Sequence, residues 1–360
     1  MRSGARLATM SGMLNATREP AATSNGAAGP ILVVDDLRVT FSRHGRVVHA
    51  VNGLSYQVRP GRTLAIIGES GSGKSVSVRA LMGLLPPSAH IEGSARLDGT
   101  ELVGLDDKSW RAVRGCQIAM VFQDPASSLN PTMSIGAQLI EAIRMHAPLK
   151  RREAAQKAID LLKLVRLPSP EKRLKQFPHQ LSGGMRQRVV IAIALSSDPK
   201  LLIADEATTA LDVTTQAQIM ELLVDIQERL GMAVIMISHD LSLAACYAHE
   251  VLVMYAGKAV EHAETRNLFS NVRMPYTKAL LDAIPQLSTP AHLQPAIVGG
   301  HPPDLSALPE GCAFLPRCPS STEQCRIEPH LAEHEPEHAY ACWHPVSRDG
   351  SCTGQKEERP

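Results

Sequence analysis

Apolar and polar positions alternate from Ile31 to Phe41, a period of two that predicts a half-buried strand. Val47 to Val58 reads as further strand, closed by the turn pair Pro60-Gly61. Thr63 to Ile67 is a short apolar run, the pattern of a parallel strand buried on both faces. A glycine-rich stretch follows, and then Ser75 to Leu85 has helical character. Between Asp124 and Gln180 the pattern changes. Within Arg152 to Leu167, Ala155, Ile159, Leu162 and Val165 recur at helical spacing among Lys and Arg, which predicts a helical insertion. Ser182 to Leu195 and Thr214 to Leu230 read as helices, and Leu201 to Ala204 and Ala233 to Ser238 as buried strands. Strands alternating with helices imply an α/β fold with parallel strands.

Past Glu264 the periodicity dissolves, and prolines recur from Pro275 to Pro345. A boundary is expected near Ala263, which makes 30–263 the main domain, about 124–181 its helical subdomain, and 264–345 a loop-rich extension too thin to bury much core. Residues 1–29, rich in Ala, Gly, Ser and Thr, are expected to form a disordered leader, with Met10 or Met13 as alternative starts. Residues 346–360 are expected to be a disordered tail. No internal repeat stands out.

Composition narrows the function. The 360 residues are 44% hydrophobic, which suits a folded globular chain. No apolar run approaches the ~20 residues that span a bilayer, so a membrane role would come through partners. A formal net charge of +1 and an aromatic content of 3% argue against a nucleic-acid partner.

Candidate chemistry begins at Gly68-Glu69-Ser70-Gly71-Ser72-Gly73-Lys74-Ser75, which matches the phosphate-binding loop between a strand and a helix. Its glycines let backbone N–H groups curl around an anion, and the following helix directs its positive end to the same place. Lys74 is expected to reach the β- and γ-phosphates of ATP, and the Ser75 hydroxyl to ligate Mg²⁺. The apolar strand ending in Asp205 and Glu206 supplies two acids. Asp205 is expected to hold the Mg²⁺ shell and Glu206 to act as general base on the attacking water. Ser182-Gly183-Gly184 opens another helix with exposed backbone N–H groups, a second anion site in one chain.

Leu181-Ser182-Gly183-Gly184-Met185-Arg186-Gln187-Arg188, shortly before the acidic strand, resembles the signature motif of ABC ATPases. The resemblance implies a head-to-tail dimer in which the signature of one subunit closes on the ATP held by the other. Three further segments are similar to that family. Val121-Phe122-Gln123-Asp124 resembles the Q-loop, which implies that Gln123 contacts Mg²⁺ and the attacking water. Ala210-Leu211-Asp212 resembles the D-loop, and Ile237-Ser238-His239-Asp240 the switch segment, with His239 on the γ-phosphate. Phe41 is the candidate for stacking on adenine, with a core role as the alternative. Two positions depart from the family: Met185 replaces the commoner Gln, and Ala207 stands where Pro is usual. Neither removes a charged or phosphate-contacting group. The fold implied is a P-loop NTPase core of the ABC ATPase type, with a mixed sheet, a helical subdomain and a small Cys-containing C-terminal extension.

The extension narrows the resemblance. Pro275 to Leu281 and Gly311 to Pro319 look like the C-terminal region of oligopeptide and dipeptide importer ATPases. Cys312, Cys318, Cys325 and Cys342 are separated by five, six and sixteen intervening residues, without the C-x2-C spacing of zinc ribbons. Four thiolates suit a 4Fe–4S cluster or Zn²⁺, and free or disulfide-bonded thiols are the other alternative. The resemblance favours the iron–sulfur cluster. His338 and His344 lie near enough in sequence to substitute as ligands, and Cys352 falls outside the pattern.

Together these residues imply an ATPase at the cytoplasmic face of the inner membrane, peripheral to it, that powers import of peptides or related solutes. Its implied partners are a second, related ATPase, two transmembrane permeases and, indirectly, an extracytoplasmic solute-binding protein. The alternative is a soluble ABC ATPase acting on nucleic acid or ribosomes.

Overall fold

The computed structural model describes residues 29–43, 46–208, 211–284 and 299–347. The bulk of the expected leader, the end of the expected tail with Cys352, and Ala210 of the expected D-loop lie outside them.

The unbroken apolar run at Thr63–Ile67 forms strand β3, buried at every residue. It follows β1 (Leu32–Arg43) and β2 (Arg46–Val58), which pair antiparallel. The chain continues through α1 (Lys74–Leu81), β4 (Ala89–Leu97), β5 (Thr100–Glu101), α2 (Asp107–Val113) and β6 (Ile118–Val121). The order β2-β1-β4-β5 makes one antiparallel sheet. Helix α1 ends at Leu81, short of the expected Leu85. Gly83 takes a left-handed φ of 58°, and a side chain there would meet the Trp110 ring at 2.4 Å.

The predicted insertion is helical: α3 (Pro125–Ser128), α4 (Ile135–His146), α5 (Arg151–Leu164) and α6 (Pro170–Arg173) precede α7 (Gly183–Ala194). Helices α4 and α5 bury Leu139, Ile143, Ala158 and Leu162 against α7, as their apolar spacing requires. Then come β7 (Leu201–Asp205), α8 (Val213–Leu230), β8 (Ala233–Ser238), α9 (Leu241–Tyr247), β9 (Glu250–Tyr255) and β10 (Lys258–Glu264). Strands β9, β3, β8, β7 and β6 lie in that order, all parallel.

Alternation in β3 divides the core. Leu64 and Ile66 face the antiparallel sheet and α1, whereas Ala65 and Ile67 face the layer of α4, α5, α7 and α8. The sheet is therefore covered on both faces, which is why its strands read as continuous apolar runs.

The expected boundary near Ala263 falls inside β10. Beyond it, α10 (Thr265–Ser270) and α11 (Pro275–Asp282) pack back on the core, and a hairpin of β11 (Ala332–Glu335) and β12 (His338–Tyr340) extends the central sheet. Strand β12 pairs with β10 at Glu261–Tyr340, His262–Ala339 and Ala263–His338. A buried contact locks this join. The Glu261 carboxylate accepts from the backbone N–H of Arg273 at 2.7 Å and lies 2.9 Å from Nε2 of His338, with both side chains wholly buried. His338 is thus committed to Glu261 and is withdrawn as a substitute metal ligand.

Replacing His338 with Ala leaves a buried carboxylate short of a partner, so stability should fall by about 2–4 kcal/mol. Denaturant midpoints check this, and limited proteolysis should cut the extension before the core. A midpoint unchanged from wild type would contradict the lock.

Candidate nucleotide site

Strand β3 delivers the chain to a loop that only glycine can build at two points. Gly68 (φ 151°) and Gly73 (φ 99°) adopt backbone conformations that other residues avoid. A Cβ on Gly68 would strike the carbonyl of Met254, and one on Gly73 the carbonyl of Ala50, each at 2.3 Å. Gly71 takes φ 80° between them. Gly73 caps α1, so the helix points its N-terminus into the loop.

Lys74 curls back over this loop. Its ammonium donates to the carbonyls of Gly68 (2.7 Å) and Glu69 (2.8 Å), and lies 3.4 Å from the Ser72 hydroxyl. The side chain is buried, which lowers its pKa below the usual lysine value, while Glu206, Asp205 and Glu69 oppose that effect. A lysine held this way is aimed at the mouth of the loop, where the phosphates of a nucleotide would lie.

The neighbouring hydroxyl is equally constrained. Ser75 donates its Oγ–H to Oδ1 of Asp205 at 2.8 Å. Burial raises the Asp205 pKa, and the Ser75 hydrogen bond and Arg79, 3.6 Å away, pull it back down. A hydroxyl and a carboxylate side by side at the phosphate loop suit a hard divalent cation such as Mg²⁺.

Glu206 would point away from Asp205 if the strand simply continued. It does not continue: Glu206 adopts a left-handed φ of 50°, with its N–H donating to the carbonyl of Ile237 at 3.1 Å. The carboxylate then meets Gln123, whose Nε2 donates at 2.7 Å, and His239, whose Nδ1 lies at 3.6 Å. Gln123 follows β6, Asp205 and Glu206 close β7, and His239 follows β8. Adjacent parallel strands thus end at one edge with the lysine loop, and their four expected chemistries converge.

The other expected residues sit elsewhere. Ser182 caps α7, its Oγ accepting from the Met185 N–H at 3.4 Å, and among the described residues its hydrogen bonds remain within that turn. Gly184 packs so tightly on Thr215 that a Cβ would approach its methyl to 2.6 Å, and Gly183 faces Leu211. The signature turn therefore rests on Leu211 and the first turn of α8, where the N-cap Asp212 accepts from the Thr215 N–H at 2.9 Å. Phe41 lies on β1 opposite Val48 and Ala89, half-buried against the core beneath the antiparallel sheet. Ser70 and Ser72 complete the loop, Ser72 buried within it.

Three contributors carried no role in the sequence reading. Arg79 stands one helical turn after Ser75, a spacing that puts it on the same helix face and within 3.6 Å of Asp205. Tyr276 and Arg317 reach the loop from the extension. The Tyr276 hydroxyl accepts from the Glu69 N–H at 2.9 Å, and Arg317 pairs with the Glu69 carboxylate. No local pattern connects such distant residues.

Cys312, Cys318, Cys325 and Cys342 form no disulfide among the described residues, and all four line one small apolar cavity with Phe314, Trp343 and His344. Burial pushes the Cys342 thiol up to about 12 and raises Cys312 as well. Among the described residues no group of three or more His, Cys, Asp or Glu side chains is arranged to hold a metal ion. Nor is any helix among them long and apolar enough to cross a membrane.

An ABC transporter family model matches residues 51–209, and one for the oligopeptide/dipeptide transporter C-terminal region matches residues 260–325. The oligopeptide transport ATP-binding protein OppD of Escherichia coli (strain K12) is 48% identical over 319 residues, covering 89% of this chain and 94% of that protein. OppD of Mycobacterium tuberculosis (strain H37Rv) is 48% identical over 315 residues, covering 87% of this chain; the chain spans about half that relative, at 52%. In three dimensions the chain resembles an ATP-binding cassette solved as a dimer in a post-hydrolysis state bound to ADP and Pi. That likeness has a TM-score of 0.59 at 27% identity, and covers 65% of this chain and 99% of that one. The two matched regions and the identity to OppD place the chain: it belongs to the ATP-binding proteins of ABC transporters, in the branch with the oligopeptide/dipeptide transporter C-terminal region.

Proposed function

We propose that the chain is the ATP-hydrolysing subunit of an importer for peptides or related small solutes, held peripherally at the cytoplasmic face of the membrane. The observation that carries this reading is the meeting of Gln123, Glu206 and His239 beside the Ser75–Asp205 pair at the mouth of the lysine loop. The peptide cargo rests on the relatives' names, which are those of oligopeptide transport ATP-binding proteins.

In this reading the loop N–H groups and Lys74 bind the phosphates of ATP, and Ser75, Asp205 and Gln123 hold Mg²⁺, which neutralises phosphate charge when bound. Glu206 orients and polarises the attacking water. Its strained backbone fixes the carboxylate where Gln123 and His239 already touch it, so little reorganisation precedes reaction. His239, half-exposed beside Glu206, contacts the γ-phosphate. Phe41 keeps two readings, stacking on adenine or packing against the core as it does here. Ser182, Gly183 and Gly184 use none of their hydrogen-bonding capacity on the phosphate loop of their own chain, which leaves them to close on ATP held by a second ATPase, a related chain. The solved cassette of similar fold is a dimer, which supports closure of two such units. Closure drives two permease subunits that dock on the helical subdomain, and a solute-binding protein supplies the cargo.

All four cysteines line one small apolar cavity, and the group proposed for them is a 4Fe–4S cluster, which the resemblance of the extension favours over zinc. The cluster would close loops that the thin core of the extension cannot hold alone.

Replacing Glu206 with Gln should preserve ATP binding and slow hydrolysis roughly 10²–10⁴-fold, measured by phosphate release and nucleotide titration. Turnover at the wild-type rate would remove Glu206 from this role. Lys74→Ala should weaken ATP binding by roughly 30-fold or more, and an unaltered affinity would refute the cradle. Anaerobically purified protein should carry iron with broad visible absorption, both lost in Cys325→Ala. A preparation lacking iron would dismiss the cluster.

A further inference from the structure

Residue 69 presents a contradiction of charge. The phosphate loop exists to hold a polyanion, yet its second residue is a glutamate whose charge is felt at Lys74. The structure resolves this from a distance of 248 residues in sequence. Arg317 forms a two-pronged pair with the Glu69 carboxylate, Nη1 to Oε2 at 2.6 Å and Nη2 to Oε1 at 2.9 Å. The arginine side chain is only 5% exposed, so solvent does little to screen the pair. It is fixed on three sides. Nε donates to the Gly299 carbonyl at 2.7 Å, Nη1 reaches the Tyr255 hydroxyl at 3.3 Å, and the guanidinium lies 5.8 Å from the Tyr255 and Phe314 ring centroids.

The same extension holds the loop by its backbone. The Tyr276 hydroxyl accepts the Glu69 N–H, and Tyr276 packs with Tyr255 and Phe314 at ring-centroid separations of 4.5 to 5.4 Å. Tyr255 ends β9, the strand beside β3, whereas Tyr276 and Phe314 belong to the extension. The outer turn of the phosphate loop is therefore gripped through both its main chain and its charge.

We propose that Arg317 is a positioning residue for nucleotide binding, which cancels the Glu69 carboxylate and, with Tyr276, fixes the outer turn of the phosphate loop, so that ATP affinity is set from the C-terminal extension. Arg317 adjoins Cys318 in one short turn, which ties it along the chain to the cysteine loop.

The test is a charge cycle on the full chain, with Mg-ATP and Mg-ADP titrated at low and high salt and thermal midpoints read in parallel. Arg317→Gln bares the Glu69 charge and should weaken ATP binding about tenfold, ADP less, with the gap narrowing as salt rises. Glu69→Gln alone leaves the arginine uncancelled and should bind ATP as tightly as wild type or more tightly. The double variant Glu69→Gln/Arg317→Gln should return to within about twofold of wild type, although its thermal midpoint stays lowered because the arginine packing is lost in both backgrounds. A purely structural arginine gives the opposite result: affinity falls with the midpoint in every variant lacking Arg317, and the double variant is not rescued. Should Arg317→Gln fail to fold, the sign of the Glu69→Gln change decides the matter, since weaker ATP binding there overturns the proposal.

Discussion

Adjacent parallel strands that end along one edge dictate where chemistry can occur in this molecule. Strands β3, β8, β7 and β6 are hydrogen-bonded neighbours, buried on both faces, and their polar residues stand only at strand ends: Thr63 where β3 begins, Ser238 and Asp205 where β8 and β7 finish. The candidate site residues come from the carboxyl ends of the four strands. The first releases the lysine loop, the second His239, the third Asp205 and Glu206, and the fourth Gln123. The spacing of the strands, about 4.8 Å each, then brings side chains from four distant stretches of chain within reach of one ligand. The apolar core and the site are one construction, because the residues that make the strands insoluble in water also fix where their ends stand.

Unusual backbone conformations serve the site at the same edge. Gly68 and Gly73 occupy conformations that a side chain would forbid, and Glu206 accepts a left-handed turn without being glycine. The first two let the loop turn tightly with its main chain open to an anion. The third swings a carboxylate out of the alternation of β7 so that it stands with Asp205 instead of opposite to it. Such a turn persists only where surrounding contacts over-determine it, here the Ile237 carbonyl and the Gln123 amide.

Much of this was legible in the sequence because it is local. The phosphate loop, the capped turn at Ser182 and the acidic strand end each show their function within eight residues, and the periodicity of β3, β7 and β8 placed them in a buried parallel sheet. What escaped was non-local. The Gln123–Glu206 bond joins residues 83 apart, and the Arg317–Glu69 pair joins residues 248 apart. The return of the extension onto β10 was also hidden. Its strand is three residues long, and the buried Glu261–His338 contact that secures it reads in sequence as two polar residues in loops or edges. The end of α1 was misjudged by one turn because nothing in the local pattern announces the Trp110 ring against Gly83.

The central claim is that nucleotide is held between two cassettes, by the lysine loop of one and by the Ser182 turn of the other. Solution mass by light scattering, on hydrolysis-deficient protein with and without Mg-ATP, alone and co-expressed with a related ATPase, tests that claim most directly. The account expects ATP to drive a shift from one cassette to two. A particle that binds ATP yet keeps the mass of a single cassette under every one of these conditions would contradict it.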